Sequence, residues 1–127
     1  MEALVIPEDQ STPQVILDKE KGKFEISGNS LPEDVMGFYK PVINWIENYL
    51  KQPNENSQFH VKLTYFNSAS SKVILDILTM LEELPQKGNK AEIIWHYIEE
   101  DEDMLATGKE FEEMLKVPFT YYPYLQG

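Results

Sequence analysis

Leu63-Thr64-Tyr65-Phe66-Asn67-Ser68-Ala69-Ser70-Ser71-Lys72 is the stretch from which the rest of the chain can be read. On its upstream side Phe59, Val61, Leu63 and Tyr65 alternate with His60, Lys62 and Thr64. That period of two predicts a strand over 58–66 with one buried face. Downstream, Ile74, Ile77, Leu78, Leu81 and Leu84 fall on one helical stripe that stops before Pro85. Between strand and helix stand Asn67, Ser68, Ser70 and Ser71, residue types favoured at a helix N-cap. A helix start has backbone N–H groups without intrahelical partners and carries the positive end of the dipole. It therefore suits an anion, including a covalent phosphate. One cap needs one residue, so the surplus of small polar side chains asks for a second explanation.

Upstream of this junction, Val15 and Leu17 alternate with polar neighbours, as do Phe24 and Ile26. Lys19-Glu20-Lys21-Gly22 lies between them, so residues 14–28 read as a β-hairpin. Ser30-Leu31-Pro32-Glu33 reads as a helix start with Ser30 as N-cap. Val35, Phe38, Tyr39, Val42, Ile43, Ile46, Tyr49 and Leu50 follow at helical spacing. Pro41 removes one N–H and crowds the Gly37 carbonyl, which predicts a kink or a break. Beyond the second helix, Lys87-Gly88-Asn89 is a turn, and Ala91–Ile98 is apolar on both faces, the mark of a central strand. Glu99-Glu100-Asp101-Glu102-Asp103 opens a third helix with Leu105, Gly108, Phe111 and Leu115 inward. Pro118 ends it, and 119–122 supplies an edge strand.

The expected fold class is α/β. It is a single domain with a mixed sheet of about four or five strands, an N-terminal hairpin and about three helices. Residues 1–11 are expected to be a flexible lead-in, 12–122 the domain and 123–127 a tail.

With 127 residues, 42% hydrophobic and 12% aromatic, the chain can build one core. Its formal net charge of −11 argues against nucleic acid and against anionic membranes as partners. No cysteine is present, which excludes disulfides, thiolate catalysis and Cys-ligated zinc. The N-terminus lacks the features of a signal peptide and no apolar run would span a membrane, so the expected location is the cytoplasm.

No HExxH, GxGxxG, P-loop or nucleophile-elbow pattern occurs. His60 and His96 lie in predicted strands, where polar-face and hydrogen-bonded roles suit them. An enzyme using the Ser68 hydroxyl would need a histidine or carboxylate within about 3 Å. His60 stands at the far end of the same strand, roughly 26 Å away at about 3.3 Å per residue. The acid run 99–103 lacks the spacing and glycine of an EF-hand loop and reads as a solvated helix entry. No catalytic residue, metal ligand or cofactor is therefore expected. Lys72 is either solvated or a partner for a phosphate on Ser68.

The eight residues Tyr65-Phe66-Asn67-Ser68-Ala69-Ser70-Ser71-Lys72, ahead of an amphipathic helix, resemble the central motif of the SiaC-type regulatory phosphoproteins. Thr12-Pro13-Gln14-Val15 with Phe24–Gly28 resembles that family's opening hairpin. Leu31–Asp34 with Phe38–Tyr49 resembles its first helix, Pro41 included. The likeness extends over about residues 12–122. Ser68 stands where the family usually has threonine, Ala69 where it often has serine, and Leu31 where tyrosine is common.

The resemblance implies a STAS-like fold, similar to that of anti-sigma-factor antagonists. It also implies a non-enzymatic, partner-switching protein with Ser68 as the phosphorylated residue. Tyr65, Phe66, Asn67, Ser70, Ser71 and Lys72 then form the surrounding motif and partner-binding surface. The implied partners are a cognate Ser/Thr kinase, a PP2C-type phosphatase and a downstream protein such as a diguanylate cyclase, bound in the unphosphorylated state. The alternative is a constitutive adaptor of the same fold in which Ser68 merely caps the helix.

Overall fold

The computed structural model describes residues 1–126. The strands are β1 (Leu4–Ile6), β2 (Gln14–Asp18), β3 (Lys23–Ser30), β4 (Asn56–Phe66), β5 (Lys90–Ile98) and β6 (Phe119–Tyr124). The helices are α1 (Val35–Tyr49), α2 (Ser68–Met80), the short α3 (Glu83–Gln86) and α4 (Glu102–Met114). All six strands form one sheet in the order β1-β2-β3-β4-β5-β6, which is the order of the chain. β1–β2 and β2–β3 pair antiparallel, whereas β3–β4, β4–β5 and β5–β6 pair parallel. The α/β class with a mixed sheet and an N-terminal hairpin is as expected, with two edge strands making six. Gly22 takes φ +63° in the hairpin turn, a left-handed conformation that glycine adopts without a Cβ clash.

Three parallel crossovers running in one direction put their helices on one face of the sheet, because such crossovers share one hand. The core sits there. Val15, Leu17, Phe24, Phe59, Val61, Leu63, Ile93 and Trp95 of the strands meet Tyr39, Val42, Trp45, Ile46 and Tyr49 of α1. Val73, Ile74, Ile77 and Leu78 of α2 join them with Met104 and Phe111 of α4. Aromatic packing ties strand to helix: Phe24 stacks on Phe59 at 4.8 Å and Trp45 on Tyr49 at 5.4 Å between ring centroids. The opposite face carries Lys23, Gln58, Lys62, Thr64, Thr120 and Tyr122, all exposed.

Several sequence expectations are corrected. Residues 1–11 are not a loose lead-in throughout: β1 pairs with β2 from Leu4↔Leu17 to Ile6↔Val15. The Trp45 indole N–H also donates to the Glu2 carbonyl at 2.8 Å, so a core side chain holds this end down. Ser30 does not cap α1. It is the last residue of β3 and fully buried, while Asp34 caps the helix and accepts from the Gly37 N–H at 3.0 Å. Pro41 does not break α1, which runs unbroken to Tyr49. The carbonyl left without an intrahelical donor belongs to Gly37, an exposed first-turn residue that water can reach. The second helix ends earlier than its apolar stripe suggests: α2 stops at Met80, and Leu84 and Pro85 lie in the separate single turn of α3. On α4 the inward residues are Met104, Gly108 and Phe111, with Leu115 just beyond the helix, and Leu105 is only half-buried.

Candidate functional site: the tip of helix α2

The carboxyl ends of β3 and β4 lie side by side, with Ser30 opposite Phe66. Their alignment depends on a bulge. Gly28 pairs with Leu63, but Asn29 pairs with Tyr65, so Thr64 is an extra residue on β4. An extra residue inverts the alternation beyond it. Strict alternation places Tyr65 on the core face with Leu63; the structure instead leaves it 54% exposed. Phe66 turns inward instead, edge-on to Trp95 at 6.4 Å and at the same centroid distance from Phe111. Bulges often re-aim side chains beside functional sites, and this one delivers an exposed tyrosine and a level platform for the α2 turn.

The candidate polar residues of this turn separate into distinct roles. Asn67 is the N-cap: its side-chain oxygen accepts from the Ser70 N–H at 2.9 Å, and its carbonyl accepts from the Ser71 N–H at 2.9 Å. Ser70 is fully buried and faces Ser30, whose hydroxyl donates to Ser70 Oγ at 2.9 Å. A partner surface cannot include it in this conformation. Ser71 is half-buried, and Ser68, Ala69 and Lys72 are exposed. Ser68 is thus the first helical residue and not the cap, and among the described residues its hydroxyl has no hydrogen-bond partner. Lys72, one turn further on, has no ion-pair partner among the described residues. Among the described residues the single pair within 4.0 Å is Lys87–Glu83, at 3.8 Å.

Behind the tip lies a chain of three buried hydroxyls. Tyr39 Oη and Ser30 Oγ are 2.5 Å apart, and Ser30 continues to Ser70. Burial pushes the Tyr39 phenol up to about 12, partly offset by its bond to Ser30. Sequence reasoning missed Ser30 and Tyr39 here, because the helix-start pattern around Pro32 assigned Ser30 a cap role and helical spacing assigned Tyr39 to the core.

The two histidines are remote from this turn and committed to each other. His60 Nδ1 and His96 Nε2 stand 2.9 Å apart across β4 and β5, with ring centroids at 5.2 Å. Those two distances describe nitrogens pointing head-on at a shared proton. A metal ion between them needs roughly 2.0–2.1 Å to each nitrogen, which this line does not accommodate. Burial, then the neighbouring His60 and Lys62, hold His96 below its ordinary value, with Glu25 opposing. No cluster of three or more His, Cys, Asp or Glu side chains is grouped for a metal among the described residues. Nor is any helix there long and apolar enough to cross a membrane.

The fold is a mixed-sheet α/β domain that presents an exposed serine hydroxyl at the tip of a helix, backed by a buried chain of hydroxyls. Comparison with known proteins gives its class. The model of the SiaC family of regulatory phosphoproteins matches residues 6–124, and the chain belongs to that family. Its members are regulators, not enzymes.

An uncharacterized protein of Pseudomonas aeruginosa strain UCBPP-PA14 is 34% identical over 119 residues, covering 94% of each chain. The crystal structure of apo-SiaC from P. aeruginosa matches with a TM-score of 0.87 at 33% identity, over 96% of this chain and 99% of that one. The crystal structure of the diguanylate cyclase SiaD in complex with its activator SiaC, from the same organism, matches with a TM-score of 0.89. The identity is 33%, over 95% of this chain and 99% of that one.

Proposed function

We propose that this chain is a cytoplasmic partner-switching protein whose state is set by phosphorylation of Ser68. The unmodified form binds and regulates a downstream signalling protein, for which a diguanylate cyclase is the leading candidate given the solved SiaD–SiaC complex. A Ser/Thr kinase closes the switch and a PP2C-type phosphatase reopens it. The observation that carries the reading is the division of labour at the turn. Asn67 does the capping and Ser70 faces inward, so Ser68 keeps an exposed hydroxyl with no structural task.

The energetics favour an interface effect over a refolding. Phosphate adds about −1.5 to −2 charge, next to the free N–H groups of the first turn and one turn from Lys72. A helix N-terminus stabilises such a charge by roughly 0.3–1 kcal/mol, up to about 2 if partly buried. Shifting a two-state equilibrium from 1:99 to 99:1 takes about 5.5 kcal/mol. The phosphate therefore leaves the fold in place and acts where a partner covers Ser68. Burying a dianion against that partner carries a desolvation cost of several kcal/mol. Exposed Tyr65 and Lys72, with half-buried Asn67 and Ser71 between them, supply the docking surface, while Phe66 anchors the turn to the core from beneath.

The test compares partner capture from source-cell lysate by three forms: unmodified protein, Ser68→Ala, and protein carrying phosphoserine at position 68 by codon reassignment. The expected result is that the first two retain a cyclase identified by mass spectrometry and the phosphoserine form does not. Equal capture by all three overturns the switch.

A further inference from the structure

We propose that Ser30 is the positioning residue of the α2 tip, and that Tyr39 holds the Ser30 hydroxyl for that task. This deepens, and rests on, the reading of Ser68 as the phosphate acceptor. Ser30 grips the turn twice. Its carbonyl accepts from the Asn67 N–H at 3.1 Å, and its hydroxyl donates to Ser70 Oγ at 2.9 Å. A serine hydroxyl has one proton. Because that proton goes to Ser70, the 2.5 Å contact with Tyr39 has the phenol as donor and Ser30 as acceptor.

The acceptor is thereby fixed from both flanks. Asn67, immediately before Ser68, is held through its N–H; Ser70, two residues after, is held through Oγ by Ser30 and through N–H by Asn67. Ser68 lies between the two anchored residues with its own side chain free. Helix ends fray unless tied down, and an enzyme or partner that recognises a folded turn needs it in one geometry.

The anchoring requires the bulge at Thr64, which brings Ser30 level with Phe66. It also requires α1, which supplies Tyr39, so the first two helices meet at the modified turn through three hydroxyls that are all fully buried. Apolar residues would fill that space without the need to satisfy every hydroxyl. A fully bonded buried network instead specifies one arrangement.

The variants are Ser30→Ala and Tyr39→Phe, with Ile77→Val as a control that thins the core of the same helix away from its tip. Two quantities are read: amide hydrogen exchange along α2, and Ser68 phosphate occupancy by mass spectrometry in protein recovered from the source cells. Ser30→Ala is expected to speed exchange at Ser70 and Ser71 about tenfold or more, Tyr39→Phe by less, and Ile77→Val not at all. Ser68 occupancy should fall severalfold in the first two variants and stay at the wild-type level in the control. A purely structural role would move occupancy equally in all three.

Wild-type exchange at the tip, or wild-type occupancy in both unclamped variants, overturns this proposal alone. Absence of phosphate at Ser68 in the wild-type protein overturns the acceptor reading and the positioning role with it. Should Ser30→Ala fail to fold, Tyr39→Phe, which keeps the ring, decides the matter.

Discussion

Asn67→Ala and Ser68→Ala are adjacent, chemically similar truncations, and the structure predicts opposite consequences for stability. Asn67 Oδ1 accepts the Ser70 N–H at 2.9 Å, one of the orphan donors of α2. Losing an N-cap acceptor costs about 1 kcal/mol, within a range of roughly 0.5–2. The Ser68 side chain makes no hydrogen bond among the described residues, and alanine is the better helix former by a few tenths of a kcal/mol. Ser68→Ala should therefore be neutral or slightly stabilising, within about 0.5 kcal/mol.

The assay is urea unfolding followed by circular dichroism. With a slope of about 1–3 kcal/mol per molar urea, the Asn67→Ala midpoint should drop by roughly 0.5 M. In a thermal scan the same loss appears as a fall of roughly 3–5 °C for a chain of this size. The Ser68→Ala midpoint should stay with the wild type. If Ser68→Ala loses as much as Asn67→Ala, then Ser68 is a cap and its hydroxyl is not free for modification. If neither loses anything, the cap itself carries no weight and the assignment of roles along the turn is wrong.

Other outcomes follow from other parts of the molecule. Gly108→Ala places a Cβ 2.7 Å from Trp95 Nε1, whose N–H is bonded to the Met104 carbonyl, so overpacking of about 1–3 kcal/mol should show in the urea midpoint. His96 is held below its ordinary value, so the unfolded chain takes up a proton that the fold resists. Its contribution is intact above about pH 6.5 and lost as the pH falls below it. His96→Gln should flatten the slope of stability below about pH 6.5, and an unchanged slope counts against the desolvation of the His96 ring by its burial. Tyr39 is shifted the other way, up to about 12, so its share of stability fades as pH rises above 10. Tyr39→Phe should remove about 1.3 kcal/mol of the alkaline loss between pH 9 and 11, read from denaturation midpoints at those two pH values.

The regular elements were legible wherever side-chain period and tertiary burial agree. The alternation at Phe59, Val61 and Leu63, the stripe Ile74, Ile77 and Leu78 and the two-faced apolar run of β5 each point to one structure. The hairpin around Gly22 is equally plain. What escaped reading came from contacts distant in sequence. β1 exists because a strand eleven residues on and the Trp45 indole both hold it. The bulge at Thr64 leaves no local mark, yet it decides that Tyr65 faces out. The surplus of polar residues before α2 identified the turn, and the motif singled out Ser68. Only packing could show that Asn67 caps, that Ser70 is buried, and that Ser30 and Tyr39 stand behind them.

The unpermuted strand order has a consequence for biosynthesis. Each new strand docks on the one made just before it, so no segment waits for a distant partner to be translated. Relatively short-range pairings lower the entropic cost of closing each loop, which favours rapid folding. The sheet can thus grow as the ribosome delivers it, β6 completing one margin last. On that final strand Pro123, the ring without an amide proton, falls at a position whose N–H would point away from β5. The Glu99 N–H bonds to the Tyr124 carbonyl and the Ile93 N–H to that of Pro118, which sets this alternation. The β6 margin therefore lacks one donor, a modest guard against stacking onto sibling chains during synthesis.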